Sequence, residues 1–253
     1  MIRDDLGAPF PAGHRSARVV SLVPSLTETV AVTAPERLVG ATKYCSHPES
    51  LDVPRVGGTK WPMVDEILAL RPDTVLANVE ENRREDVEAL RAAGIAVWVT
   101  YPRTVEGALD SLGRMLTAIG VDRPTWLDQA AHVWADPPRL RAARVVVPVW
   151  RKPWVVIGPD TFATDVLARL GLANAYADAA ERYPRPKLEE VLARQPELVV
   201  LPDEPYVFTA DDGPEAFPGV PWALVSGRHL TWYGPSLVEA RDVLERQVAA
   251  ADR

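Results

Sequence analysis

The chain has 253 residues, enough for one large α/β domain or two small lobes, and its 47% hydrophobic and 25% charged content is ordinary for a soluble globular protein. A formal charge of −7 with no Lys/Arg-rich run argues against a nucleic-acid partner, and no apolar run approaches the roughly 20 residues that a bilayer-spanning helix needs. The single cysteine, Cys45, has no internal disulfide partner and carries no argument about redox compartment.

The first stretch, Met1-Ile2-Arg3-Asp4-Asp5-Leu6-Gly7, is acidic, and no apolar run precedes Val19. It does not read as a signal peptide, so the expected place of the chain as written is the cytoplasm. Residues 18–23 read as a first buried strand ended by Pro24-Ser25, with a helix from near Leu26. A second strand spans 38–42 and is followed by the loop Lys43-Tyr44-Cys45-Ser46-His47-Pro48. A glycine-hinged extended segment, 53–61, leads to a helix and a strand at 74–77. A helix over 84–93 stops at Gly94, and a strand follows at 95–100. This βαβα series predicts a mostly parallel sheet with helices on both faces.

A longer helix is predicted over 104–119. Val105, Ala108, Leu109, Leu112, Met115, Leu116 and Ile119 form its apolar face, and Gly120 ends it. A second helical stretch, 125–134, runs to Asp136-Pro137-Pro138. The second half follows the same alternation, with a strand at 144–149, an extended piece at 155–158, a helix at 161–170, strands at 198–201 and 222–225, and a closing helix at 236–249. No flexible Gly/Ser linker occurs, so two lobes would be joined by helix.

One unit is written twice. Pro62-Met63-Val64-Asp65-Glu66-Ile67-Leu68-Ala69-Leu70-Arg71-Pro72-Asp73-Thr74-Val75-Leu76 aligns with Pro186-Lys187-Leu188-Glu189-Glu190-Val191-Leu192-Ala193-Arg194-Gln195-Pro196-Glu197-Leu198-Val199-Val200 at a single offset, 186 − 62 = 124. The same offset matches Glu80 with Glu204. Each copy reads as a helix, a proline stop, a buried strand and an acidic loop. Two distant copies predict two similar lobes rather than a stacked array.

In open α/β sheets, ligands bind beyond the carboxyl ends of the strands. Those ends carry Ser25, Tyr44, Asn78, Glu80, Tyr101, Trp150, Trp154, Glu204, Tyr206, Trp232 and Tyr233, and Trp61 can join them. Such an aromatic rim suits a large flat or apolar ligand, although a ring in a loop can equally plug its own lobe. Asp65, Glu66, Glu189 and Glu190 are first-turn carboxylates that favour their helices, or two equivalent acidic knobs that dock on a basic partner. His47 and His229, with Glu80 and Glu204, are the candidate metal ligands. Catalytic signals are weak. There is no Gly-x-Ser-x-Gly, no phosphate loop and no His-Glu-x-x-His, which leaves only Cys45, two residues from His47, as a candidate nucleophile.

The stretches Asp4-Asp5-Leu6-Gly7, Arg18-Val19-Val20-Ser21-Leu22-Val23-Pro24-Ser25-Leu26-Thr27-Glu28, Val39-Gly40-Ala41-Thr42-Lys43-Tyr44-Cys45-Ser46-His47-Pro48 and Ala69-Leu70-Arg71-Pro72-Asp73 resemble the substrate-binding proteins of ABC importers for cobalamin, ferric siderophores and haem. The likeness is strongest to the vitamin B12 binders. It implies two Rossmann-like α/β lobes joined by one rigid backbone helix: a first lobe over 1–103, the helix over 104–120 and a second lobe over 121–253. It implies a monomeric, non-enzymatic protein without a catalytic cofactor, holding a corrinoid or ferric chelate in the cleft between the lobes. Aromatics at Tyr44, Trp61 and Trp232 would line that cleft. Asp65 or Glu66 and Glu189 or Glu190 would meet arginines of an ABC permease. Members of that family usually work outside the cytoplasm. The alternatives are a divalent-metal receptor built on the histidines and glutamates, a cytosolic relative without a transport role, and an enzyme using Cys45.

Overall fold

The computed structural model describes residues 2–11, 13, 14, 16–136 and 140–251. Met1, Pro137 and Pro138, used above, lie outside them. The chain forms two compact units: Met1–Pro102 with Glu106–Gln129 and Tyr233–Pro235, and Arg103–Val105 with Ala130–Trp232 and Ser236–Arg253. No helix among the described residues is long and apolar enough to cross a membrane.

The first unit is built on strands β1 (Val19–Ser21), β2 (Leu38–Ala41), β3 (Thr74–Asn78) and β4 (Ala96–Thr100), all parallel, in the order β2-β1-β3-β4. Its helices are α1 (Pro24–Thr33), α2 (Val64–Ala69), α3 (Arg84–Ala92), nearly all of α4 (Val105–Ala118) and the start of α5 (Thr125–Ala135). Every residue of β1 and β3 is buried, as expected for parallel strands covered on both faces. The core gathers Val20, Leu22, Val75, Ala77, Val97 and Val99 from the sheet with Ile67, Val87 and Leu90 from the helices.

The second unit repeats this plan. Strands β5 (Ala143–Val146), β8 (Leu172–Asn174), β9 (Leu198–Pro202) and β10 (Trp222–Val225) run parallel in the order β10-β9-β5-β8. A short antiparallel pair, β6 (Pro148–Trp150) and β7 (Val155–Val156), follows β5. Helices α6 (Phe162–Leu170), α7 (Leu188–Ala193), α8 (Gly227–Thr231) and α9 (Leu237–Ala249) complete it. Val146, Val199 and Leu201 meet Val191, Tyr176, Phe208 and Phe217 in its core.

The written repeat is structurally real. Adding 124 to the bounds of α2 and β3 returns the bounds of α7 and β9. The turns match too: Arg71 and Gln195 both have φ of 49°, the left-handed region that non-glycine residues seldom enter. The acid after each proline then has a task. Asp73 Oδ2 accepts the N–H groups of Ala17 (2.8 Å) and Arg18 (3.0 Å), at the start of β1. Glu197 Oε2 accepts the N–H of Arg144 (2.8 Å) in β5. Each carboxylate ties the beginning of a central strand to the turn that feeds its neighbour. Arg18 binds back in turn, donating to the carbonyls of Leu70 (2.7 Å) and Arg71 (3.1 Å), which α2 leaves unpaired.

The acidic opening is a latch on the first unit. Asp4 Oδ1 accepts the N–H groups of Leu6 (3.0 Å) and Ala8 (2.8 Å), and its other oxygen meets Arg91 (3.2 Å). Asp5 accepts from Tyr101 N (2.7 Å), Ser111 Oγ (2.7 Å) and Arg114 Nη2 (2.6 Å).

Three elements differ from the sequence reading. The strand expected over 144–149 breaks at Val147, because Pro148 has no N–H to extend the ladder, and the chain folds back as β6-β7. β8 has no counterpart among the expected strands, since three residues show no period. α8 lies within what reads as a Ser-Gly loop.

Asp73→Ala is expected to lower stability by about 1 kcal/mol, because the N–H groups of Ala17 and Arg18, just before β1, exchange a charged acceptor for water. Asp73→Asn, which keeps one carbonyl oxygen, should lose less. Urea unfolding of the three proteins checks the order.

Candidate functional site

The carboxyl ends of β3 and β4 meet at Asn78. Its Nδ2 donates to the Tyr233 hydroxyl (2.6 Å) and to the Thr100 carbonyl (3.1 Å), while its Oδ1 accepts the N–H of Glu80 (2.7 Å). The Tyr233 hydroxyl also lies 2.9 Å from Thr100 Oγ1. Burial pushes the Tyr233 pKa far above the ordinary phenol value. Gly234 then lies so close to the Ser25 carbonyl that an added Cβ would stand 3.1 Å from it. Ser25 and Tyr233, expected to touch a ligand, are buried, and the Tyr233 hydroxyl joins the ends of β3 and β4. Tyr101 and Glu80 are half-buried, and the Tyr101 backbone is spent on Asp5.

Tyr44 and Trp61 behave differently. They are 56% and 70% exposed, large fractions for aromatic rings. The backbone brings them together: Lys43 N donates to Gly57 O (2.8 Å), and Gly58 N to Trp61 O (3.1 Å). Gly57 has φ of +86°, and a Cβ there would stand 2.8 Å from the Trp61 carbonyl, so only glycine makes this turn. The edge of the Tyr44 ring lies over Gly58. Each ring carries a cation, Lys43 Nζ at 5.1 Å from the Tyr44 centroid and Arg83 Cζ at 4.0 Å from that of Trp61.

In the second unit, Trp150 is 46% exposed at the end of β6 and packs edge-on against Tyr206 at 5.7 Å. Tyr206 is fixed by its hydroxyl, which donates to Asp212 Oδ2 (2.6 Å), and Arg151 pairs with both Asp212 and Glu215. Trp154 lies parallel to Phe208 at 6.3 Å and edge-on to Phe217 at 5.4 Å, so it joins the core rather than the rim. Trp232 is only 7% exposed and shows solvent no open face. It donates to Glu204, whose carboxyl is pushed up to about 7 by burial, with the Asp203 charge adding to the shift. Gly227 is needed beside it, since a Cβ there would collide with the Glu204 side chain and carbonyl.

Among the described residues, no three His, Cys, Asp or Glu side chains form a group that could hold a metal ion. His229 is buried with Nε2 at 3.1 Å from Glu239 Oε1, and His47 Nδ1 lies 3.1 Å from Ser46 Oγ. Cys45 is buried between Thr27 Oγ1 (3.0 Å) and Thr42 Oγ1 (3.2 Å), and burial pushes its thiol pKa up, the wrong direction for a nucleophile. Asp65, Glu66 and Glu189 stand exposed in the first turns of α2 and α7. Glu190 is also exposed, but its Oε2 accepts the N–H of Lys187 (2.8 Å) and caps its own helix. Arg83, the partner of Trp61, is 22 residues away (83 − 61 = 22), and no local pattern in the sequence marks the pair.

Glu204 gives a pH signature. Its folded pKa, near 7, exceeds the ordinary 4.5, so the folded state binds the proton more tightly than the unfolded chain. The stability linked to that proton is whole below about pH 4.5 and is lost as pH rises through about 7. Glu204→Gln is expected to stabilise the protein by roughly 1–3 kcal/mol at pH 8 and to change little at pH 4.5. Urea unfolding at the two pH values checks this; equal effects at both would show an ordinary carboxyl.

No family model matches the chain. The vitamin B12-binding protein of Vibrio cholerae serotype O1 is 26% identical over 206 residues, covering 77% of this chain and 72% of that protein. Among solved structures, the periplasmic vitamin B12 binding protein BtuF of Vibrio cholerae matches with a TM-score of 0.71 at 21% identity, over 95% of this chain and 98% of its own. The periplasmic heme-binding protein BhuT, in complex with two hemes, matches at 0.74 and 24% identity, over 92% and 97%. These likenesses bear out the resemblance to ABC-importer substrate-binding proteins and the two-lobed α/β class. They overturn the cytoplasmic expectation, because both of these solved proteins are periplasmic. That expectation rested on the composition of the first residues, which says nothing about where folded lobes work. The chain is similar in sequence and in fold to periplasmic binding proteins for vitamin B12, and in fold to those for heme.

Proposed function

We infer that this protein is a solute-binding protein that takes a corrinoid or an iron chelate and delivers it, outside the cytoplasm, to an ABC importer. The observation that carries the reading is the pair of exposed rings, Tyr44 and Trp61, held beyond the strand ends of a unit built like those of the vitamin B12 and heme binders. An exposed indole and phenol on a rigid turn stack on a flat macrocycle and exclude water from its face. Trp150 offers a third such ring on the second unit. The role is that of a receptor rather than an enzyme, in keeping with the binding-protein names of its relatives and the buried, proton-holding Cys45 thiol. No ion-binding cluster among the described residues favours the divalent-metal alternative. Asp65, Glu66 and Glu189 are the carboxylates best placed to meet permease arginines, since each is exposed on an equivalent helix start.

The test is an absorbance spectrum after gel filtration of the protein with cyanocobalamin, and separately with hemin. Ligand colour is expected to travel with the protein in one of the two. Trp61→Ala should weaken that complex about tenfold, the loss of one stacked indole. A colourless protein peak with both ligands overturns the reading.

A further inference from the structure

We propose that Arg83, clamped by Asp86, is a positioning residue that holds the Trp61 indole from one face and prepares the other for a flat ligand carrying electron-rich or anionic groups. The proposal deepens the function above and rests on Trp61 facing the ligand.

The geometry links three side chains in series. Asp86 is the base, with a side chain only 8% exposed. It grips Arg83 at two points, Nε to Oδ2 at 2.8 Å and Nη2 to Oδ1 at 2.7 Å. That fork fixes the plane of the guanidinium. The guanidinium then lies 4.0 Å from the centroid of the Trp61 ring. An exposed indole on a turn would otherwise sample several rotamers and lose that freedom on binding. The turn itself is pinned to the same segment: Lys60 Nζ donates to the Glu80 carbonyl, and Asn82 Nδ2 to the Thr59 carbonyl at 2.9 Å.

The charge of the series sets a preference. Both faces of an indole are electron-rich, which attracts cations. In Trp61 one face is already satisfied by Arg83, and the cation behind the ring makes the free face less attractive to a second positive charge. Asp86 offsets part of this field through its two bonds to the same guanidinium, whose carbon lies 4.0 Å from the ring centroid. Lys43 at the Tyr44 ring acts in the same sense.

The first measurement needs no ligand. Trp61 emission, taken as the difference between the wild type and Trp61→Phe, is quenched with acrylamide. Arg83→Met keeps the stem without the charge and is expected to raise the Trp61 quenching constant about twofold. Asp86→Asn should raise it less, and Arg83→Lys should restore part of the protection. Asp86→Asn leaves the helix start intact should Arg83→Met fold poorly. An unchanged constant in both variants overturns the positioning role.

The second measurement uses hemin and cyanocobalamin. Arg83→Met is expected to weaken the bound one about fivefold. The Arg83→Met, Trp61→Ala double variant should be no weaker than Trp61→Ala alone. Wild-type affinity in Arg83→Met beside weak binding by Trp61→Ala overturns the proposal and leaves the function standing. Wild-type affinity in Trp61→Ala removes Trp61 from the ligand wall and overturns the ligand preference, while the quenching still reports the clamp. A sulfonated water-soluble porphyrin should bind the wild type better than an N-methylpyridinium one, with the gap narrowing in Arg83→Met; a gap that does not narrow overturns the charge argument.

Discussion

The structure depends on a carboxylate placed one residue after a proline. Asp73 and Glu197 stand where a helix has just ended and a buried strand is about to begin. Each reaches across to the backbone at the start of the adjacent central strand. Those N–H groups lie at the exposed start of each strand, and the carboxylate gives them a protein acceptor in place of water. The proline stops the helix without competing for these bonds, and a left-handed residue before it turns the chain. In both units this contact joins the start of one central strand to the turn that feeds the next, β1 to β3 and β5 to β9.

This explains why so much of the fold is legible in the sequence. The repeat is a chemical device, and the device tolerates no shift, so one offset carries through helix, turn, strand and even the φ of the turn residue. The apolar runs after it are buried on both faces and read as such. Where no device of this kind stands, legibility fails. β8 is three residues of edge strand whose assignment depends on pairing with β5, which lies far off in sequence. The β6-β7 turn reads as continuous strand because a proline that begins an antiparallel strand looks, locally, like one that ends a parallel strand.

The candidate site is legible by position and much less by exposure. Tyr44, Trp61 and Trp150 are exposed, Trp154 is half-buried, and Trp232 and Tyr233 are buried. All six follow strands or turns in similar company, so local sequence does not separate them. The difference lies in partners supplied from elsewhere. Phe208 and Phe217 pack against Trp154, Asn78 and Thr100 take the hydroxyl of Tyr233, and Glu204 takes the indole N–H of Trp232. A polar group on a buried ring needs a partner, and here each partner lies at the end of another element.

The rings that remain exposed are also held. Trp61 has a guanidinium behind it, Tyr44 rests on a glycine with an ammonium beside it, and Trp150 meets a tyrosine whose own hydroxyl is tied to Asp212. In each case the restraint comes from a neighbouring group rather than from burial of the ring. That arrangement leaves apolar area in water at a cost in free energy, and then removes the rotamer freedom that would have softened the cost. A monomer gains nothing from this by itself. It becomes favourable when a ligand covers the area, because the rings then enter the complex already ordered. Order on the exposed faces is thus the feature that the fold alone does not require.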